Sequence, residues 1–177
     1  MFCKIKKTRN LIAVFILLSI GFLCFQVNKE YVLKNESGSL STKITKPIMI
    51  IFSEIKKNSL PSEQNIVAMY MLSQAHALFG KDVKIAMVLN VDSDSDESQI
   101  LYLLNLMQKR YKFNFGFEVY LDKNNKFAKK FRIRQKPTVV LMKNNKVQYK
   151  TQDFKFQWFG VDGIKLINEY LGIAVGL

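Results

Sequence analysis

Few side chains in this sequence have types and spacings that suit chemistry, and the cysteines come first. There are two, Cys3 and Cys24, so everything from Phe25 onward lacks a thiol. Lys56 and Ser59 stand three residues apart, as an amine base and a nucleophilic hydroxyl would on a first helical turn. Such a pair needs a strongly depressed amine pKa and an oxyanion site, and a basic neighbourhood supplies neither. Asp92, Asp94 and Asp96 imitate the first, third and fifth positions of a calcium loop. Glu97 then occupies the place of the required glycine and Leu103 that of the closing glutamate, so these acids read as a helix start. His76, the only histidine, has Leu72 and Gly80 four residues away and so no ligating neighbour on its helix face. It reads as a partly exposed helix residue. No metal and no cofactor is expected.

The net charge of +13 rules out little by itself. Lysines of this kind commonly form a solvated surface, and no strip interleaves aromatics with bases as a nucleic-acid platform would. Nucleic acid is therefore not an expected partner, whereas anionic lipid or acidic protein is electrostatically favoured. The most suggestive basic set is Lys129, Lys130, Arg132, Arg134 and Lys136. Trp158 and Phe159 precede Gly160 at the approach to the last helix and read as core.

These residues need elements to position them. Residues 1–10 carry Lys4, Lys6, Lys7 and Arg9 without an acid, and Leu11 to Phe25 has no charge at all. The bulky Phe22-Leu23-Cys24-Phe25 offers no small-residue cleavage site, so 11–27 reads as an uncleaved signal-anchor at the short end of bilayer-spanning length. The positive flank then leaves the remainder outside the cytoplasm, single-pass in an inner membrane. Residues 28–46 are polar, without sustained period, and read as a tether.

The folded domain is expected over 47–177. Ile48-Met49-Ile50-Ile51-Phe52 suits a strand buried on both faces. Ser62 is a natural N-cap for a helix reaching Phe79, with Ile66, Met69, Tyr70 and Leu72 inward and Gly80 in the left-handed region at its end. Val83 to Val91 is a second strand, a second amphipathic helix ends near Tyr111, and Phe117 to Leu121 is a third strand. A helical turn covers Phe127 to Phe131. Val139 to Met142 and Lys146 to Lys150 flank Lys143-Asn144-Asn145 as a hairpin, because asparagine tolerates positive φ. Val161 to Leu171 is the last helix. The order β-α-β-α-β-β-α implies a three-layer α/β sandwich on a mixed central sheet.

Three stretches in this order resemble the thioredoxin superfamily, and within it the membrane-tethered TlpA/ResA-like thiol:disulfide interchange proteins. They are Val88-Leu89-Asn90-Val91-Asp92, Phe117-Glu118-Val119-Tyr120-Leu121-Asp122, and most specifically the run from Phe127 through Arg132-Ile133-Arg134-Gln135-Lys136-Pro137-Thr138 to Leu141. The resemblance implies that Pro137 is cis and that the backbone at Lys136 pairs with an extended partner segment. Lys136, Pro137, Thr138, Arg132 and Arg134 would line that groove. It also places Lys56 and Ser59 where the family has its Cys-x-x-Cys, whose first thiol is activated by a helix N-terminus. Neither residue can exchange a disulfide.

The expected function is therefore a redox-inactive, membrane-tethered binding domain that holds an envelope protein at the cis-proline groove, with an acidic or neutral segment as its partner. Two alternatives stand beside it. One is an oxidoreductase-type protein acting through Cys24 or a partner's cysteines, in cytochrome maturation or disulfide handling. The other is a structural scaffold of a membrane complex.

Overall fold

The structure, a computed structural model, describes residues 30–35, 38–57, 59–112 and 115–174. The basic n-region and the apolar segment 11–27 lie outside them. Among the described residues no helix is long and apolar enough to cross a membrane.

The central sheet has five strands: β3 (Ile48–Glu54), β4 (Lys84–Val91), β5 (Glu118–Lys123), β6 (Thr138–Lys143) and β7 (Lys146–Thr151), in the spatial order β5-β4-β3-β6-β7. β3, β4 and β5 run parallel, while β6 is antiparallel to β3 and β7 to β6. Parallel neighbours require crossovers, and α1 (Glu63–Phe79) and α2 (Glu97–Tyr111) supply them. α3 (Lys126–Lys130) precedes β6, and α4 (Val161–Leu171) closes the domain.

The strand β3 opens on the continuous apolar run Ile48-Met49-Ile50-Ile51-Phe52 and takes the middle of the sheet, where both faces are covered. Ile50, Ile51 and Phe52 are wholly buried. On one face Met49, Ile51, Met87 and Leu89 pack with Leu72 and Phe79 of α1, Leu104 of α2 and Ile167 of α4. Each such side chain contributes roughly 1.5–3 kcal/mol on full burial. On the other, the Phe52 ring meets Phe127 at 6.3 Å and Phe131 at 5.9 Å, which docks α3 against the sheet. Trp158 is 1% exposed and meets Phe156 edge-on at 4.7 Å, whereas Phe159 remains 38% exposed.

Both Lys-Asn-Asn-Lys stretches turn the chain by the same device. Asn124 and Asn125 have φ of 64° and 57°, and Asn144 and Asn145 of 52° and 62°, a conformation asparagine accepts more readily than most side chains.

Three expectations are corrected. First, residues 28–46 are not simply a tether. β1 (Val32–Asn35) and β2 (Gly38–Ser41) form an antiparallel hairpin, with Leu40 and Ile44 buried. Asn35 donates through its side chain to the Val119 carbonyl at 2.9 Å, and the backbone N–H groups of Asn144 and Asn145 donate to Thr45 and Ile44. Two isolated apolar residues in a polar stretch have no period to detect, yet they suffice to seat it. Second, Gly80 is right-handed, at φ −58°. It is small for a different reason, since a Cβ there would stand 2.6 Å from the His76 carbonyl oxygen and 2.8 Å from its Nε2. Third, Tyr70 is 42% exposed, and Ala68, Ala75 and Asn65 take the inward positions of α1 instead.

Candidate functional site

Lys56, Ser59, the acidic loop after β4 and the cis-proline loop gather at the end of the sheet where β3, β4 and β5 terminate, while His76 lies in the last turn of α1, away from them. Glu54, Asn90 and Asp122 are partners in register across the three strands, so their side chains share a face. Asp122 is 1% exposed, and its two carboxylate oxygens accept the N–H groups of Phe127 and Ala128, each at 2.9 Å. It holds the first turn of α3, because the Asn125 side chain makes no capping bond. From α3 the chain turns through Arg132, at φ 53°, to Pro137. The Lys136–Pro137 peptide bond is cis, and Thr138 Oγ1 donates to the Gln135 carbonyl at 2.6 Å, tying the loop across the proline.

Arg132 and Arg134 are exposed on this loop, while Pro137 and Thr138 are buried beneath it. Lys136 departs from the expected basic rim. Its side chain is only 8% exposed, with Nζ 3.9 Å from Glu54 Oε2. Burial holds its pKa below the ordinary lysine value, and the charges of Glu54 and Asp122 offset part of that. An aliphatic stem of four carbons can run inward from a loop, so position alone did not reveal its direction.

Lys56 and Ser59 fall together after β3, with Asn65 of α1 tying the strand end to the helix through a 3.2 Å bond to the Glu54 carbonyl. The Ser59 hydroxyl donates to the Lys56 carbonyl oxygen at 2.8 Å, and the Ser59 N–H to the same oxygen at 3.1 Å. The hydroxyl proton is thus committed to the backbone and no base faces it. Lys57 donates its N–H to Asp92 at 3.0 Å and pairs its ammonium with Asp94, which raises the lysine's pKa and lowers the aspartate's through their hydrogen bond. Asp96 caps α2 by accepting the Ser98 N–H at 2.9 Å. The acidic loop is accounted for by these bonds, and among the described residues no three His, Cys, Asp or Glu side chains gather. Between this loop and the Lys56–Leu60 segment lies a cleft of about 470 Å³, its apolar side formed by Ile55, Leu60, Ile100 and Leu103.

A parallel β3-α1-β4 unit, the strand end before α1 and a cis-proline loop beside it together decide the architecture. The domain has a thioredoxin-like fold. Neither a family model nor a curated protein matches the sequence. Solved structures do. A thiol:disulfide interchange protein from a Bacteroides species matches at TM-score 0.53 and 15% identity, over 82% of this chain and 88% of its own. A candidate DsbE thiol:disulfide interchange protein from Chlorobium tepidum gives TM-score 0.56 at 14% identity, over 84% and 94%. A candidate thioredoxin from Neisseria meningitidis gives 0.56 at 16%, over 84% and 91%.

Sequence reasoning missed Asp122 and Glu54. A signal for the first existed: an acid five residues ahead of a short helix that otherwise lacks a cap. For the second there was none, because its role depends on the inward course of Lys136.

Proposed function

We propose that this chain is a redox-inactive thioredoxin-like domain, tethered to a membrane by residues 11–27, that holds an extended segment of an envelope protein at the cis-proline loop. The observation that carries the reading is the pair at positions 56 and 59. In this fold that loop is where exchange chemistry would sit, yet no thiol is present and the Ser59 hydroxyl is turned to the Lys56 carbonyl. What persists is recognition geometry: a cis-proline loop with two exposed arginines, and a cleft beside positions 56–60 that is apolar on one side. Arg132 and Arg134 favour an acidic segment, chiefly through encounter rate and register.

A photoreactive residue at exposed position 135, compared with one at exposed position 77 on α1, tests this in native membranes. A defined partner captured only at 135, and lost on charge reversal of Arg132 and Arg134, supports the reading. Identical capture at both positions sinks it.

The likeness of fold to thiol:disulfide proteins favours a second reading, an oxidoreductase-type role using Cys24 or cysteines supplied by a partner. Cys24→Ser separates the first reading from the form of the second that uses Cys24, because only that form loses function with it.

A further inference from the structure

The end of the sheet opposite the cis-proline loop is built almost entirely of basic loops. The topology gathers there the starts of β3, β4 and β5, the β6–β7 turn, and the C-terminal ends of α1 and α2. Each connection brings exposed cations. Lys43 and Lys46 precede β3, and Lys81 follows α1. Lys109, Arg110 and Lys112 close α2, and Lys146 leaves the β6–β7 turn. Among the described residues at this end the acids are Glu30 before β1, Asp82 after α1, and Glu118 at the start of β5, the last paired with Lys84 at 2.6 Å. Cations at helix C-termini offset the dipole, which accounts for the α2 set but not for Lys46 or Lys146. By contrast Asp92, Asp94 and Asp96 in the loop after β4, and Glu97 at the start of α2, lie at the other end.

Chain length adds a second, independent observation. Because β1 begins at Val32, only residues 28–31 separate the domain from the apolar segment, and an extended chain of four residues reaches roughly 13–14 Å. Val32 pairs with Ser41, two residues before Lys43, and Asn145 donates to Ile44, so the chain joins the domain close to Lys43, at the same end of the sheet as Lys46 and Lys146. We propose that this basic end lies against the anionic headgroups of a bilayer, directing the cis-proline loop away from the membrane. The inference rests on the tethered reading above and deepens it, since a short link and a charged base fix which way the recognition loop faces.

The test uses the full chain with Cys3 and Cys24 replaced by serine, reconstituted in phosphatidylcholine vesicles with or without phosphatidylglycerol. A fluorophore is placed on a cysteine introduced at exposed position 45 or 135, and quenched by headgroup-labelled lipid. The label at 45 is expected to be quenched only with phosphatidylglycerol, and less at high salt. Replacement of Lys43, Lys46 or Lys146 by glutamine should shift the docked population roughly fivefold per site, while the label at 135 stays unquenched throughout. Equal quenching at both sites, or indifference to phosphatidylglycerol, overturns the proposal while the tether stands. Failure of the chain to float with either vesicle overturns the tether and the proposal together.

Discussion

The ammonium of Lys136 stands 3.9 Å from the Glu54 carboxylate, joining the residue before the cis-proline to the end of the central strand. Burial holds this lysine's pKa below 10.5, so between the folded value and 10.5 the unfolded chain binds more protons than the folded one. Stability must therefore rise with pH through that window, and the cost of the buried charge is fully present below it. Lys136→Met is expected to raise stability by about 1 kcal/mol at neutral pH and to flatten the rise just below pH 10.5. Urea melts from pH 7 to 10.5 check both.

Asp122 accepts two backbone N–H groups inside the domain. Asp122→Ala leaves them without partners and should cost about 3 kcal/mol, whereas Asp122→Asn keeps one acceptor and should cost less. Because α3 leads directly into the 131–137 loop, the alanine variant should also weaken partner capture at position 135. Denaturant midpoints and crosslinking yield read the two effects separately.

Gly116 is constrained by a side chain from another element. A Cβ there would stand 2.3 Å from His76 Nδ1, and the imidazole is held between Gly80 and the edge of Phe117 at 6.2 Å. Gly116→Ala should destabilise the domain by about 2 kcal/mol, and His76→Ala should recover most of that in the double variant. Additive losses in thermal melts would refute the packing account.

If positions 56 and 59 differ from a working redox loop only in side chain, restoring thiols should restore exchange. With Cys3 and Cys24 replaced by serine, Lys56→Cys combined with Ser59→Cys is expected to form an internal disulfide and to accelerate insulin reduction by dithiothreitol. The same background without the new thiols should leave the rate at that of the reductant alone. Thiol titration and insulin turbidity provide the measurement.

The main elements were legible wherever one physical signal dominated. β3 announces itself by continuous apolarity, α1 by its cap Ser62, α2 by the acids ahead of its apolar face, and the β6–β7 turn by two adjacent asparagines. The β1–β2 hairpin was illegible because only Leu40 and Ile44 bury, too few to mark a period. Within the site, Pro137 and Thr138 were singled out only through the resemblance of the run from Phe127 to Leu141, and no local pattern marks them. The inward turn of Lys136 and the double capping by Asp122 depend on which strands become neighbours, and no local pattern encodes that.

The outermost strand β7 leaves one side of its backbone without a neighbouring strand, yet Lys146, Gln148 and Lys150 are exposed along it and its register with β6 slips at Leu141/Met142. Charge and irregular pairing are how sheet margins resist the addition of another chain. Where copies of this domain crowd side by side, the margin is thereby kept from zipping them into aggregates.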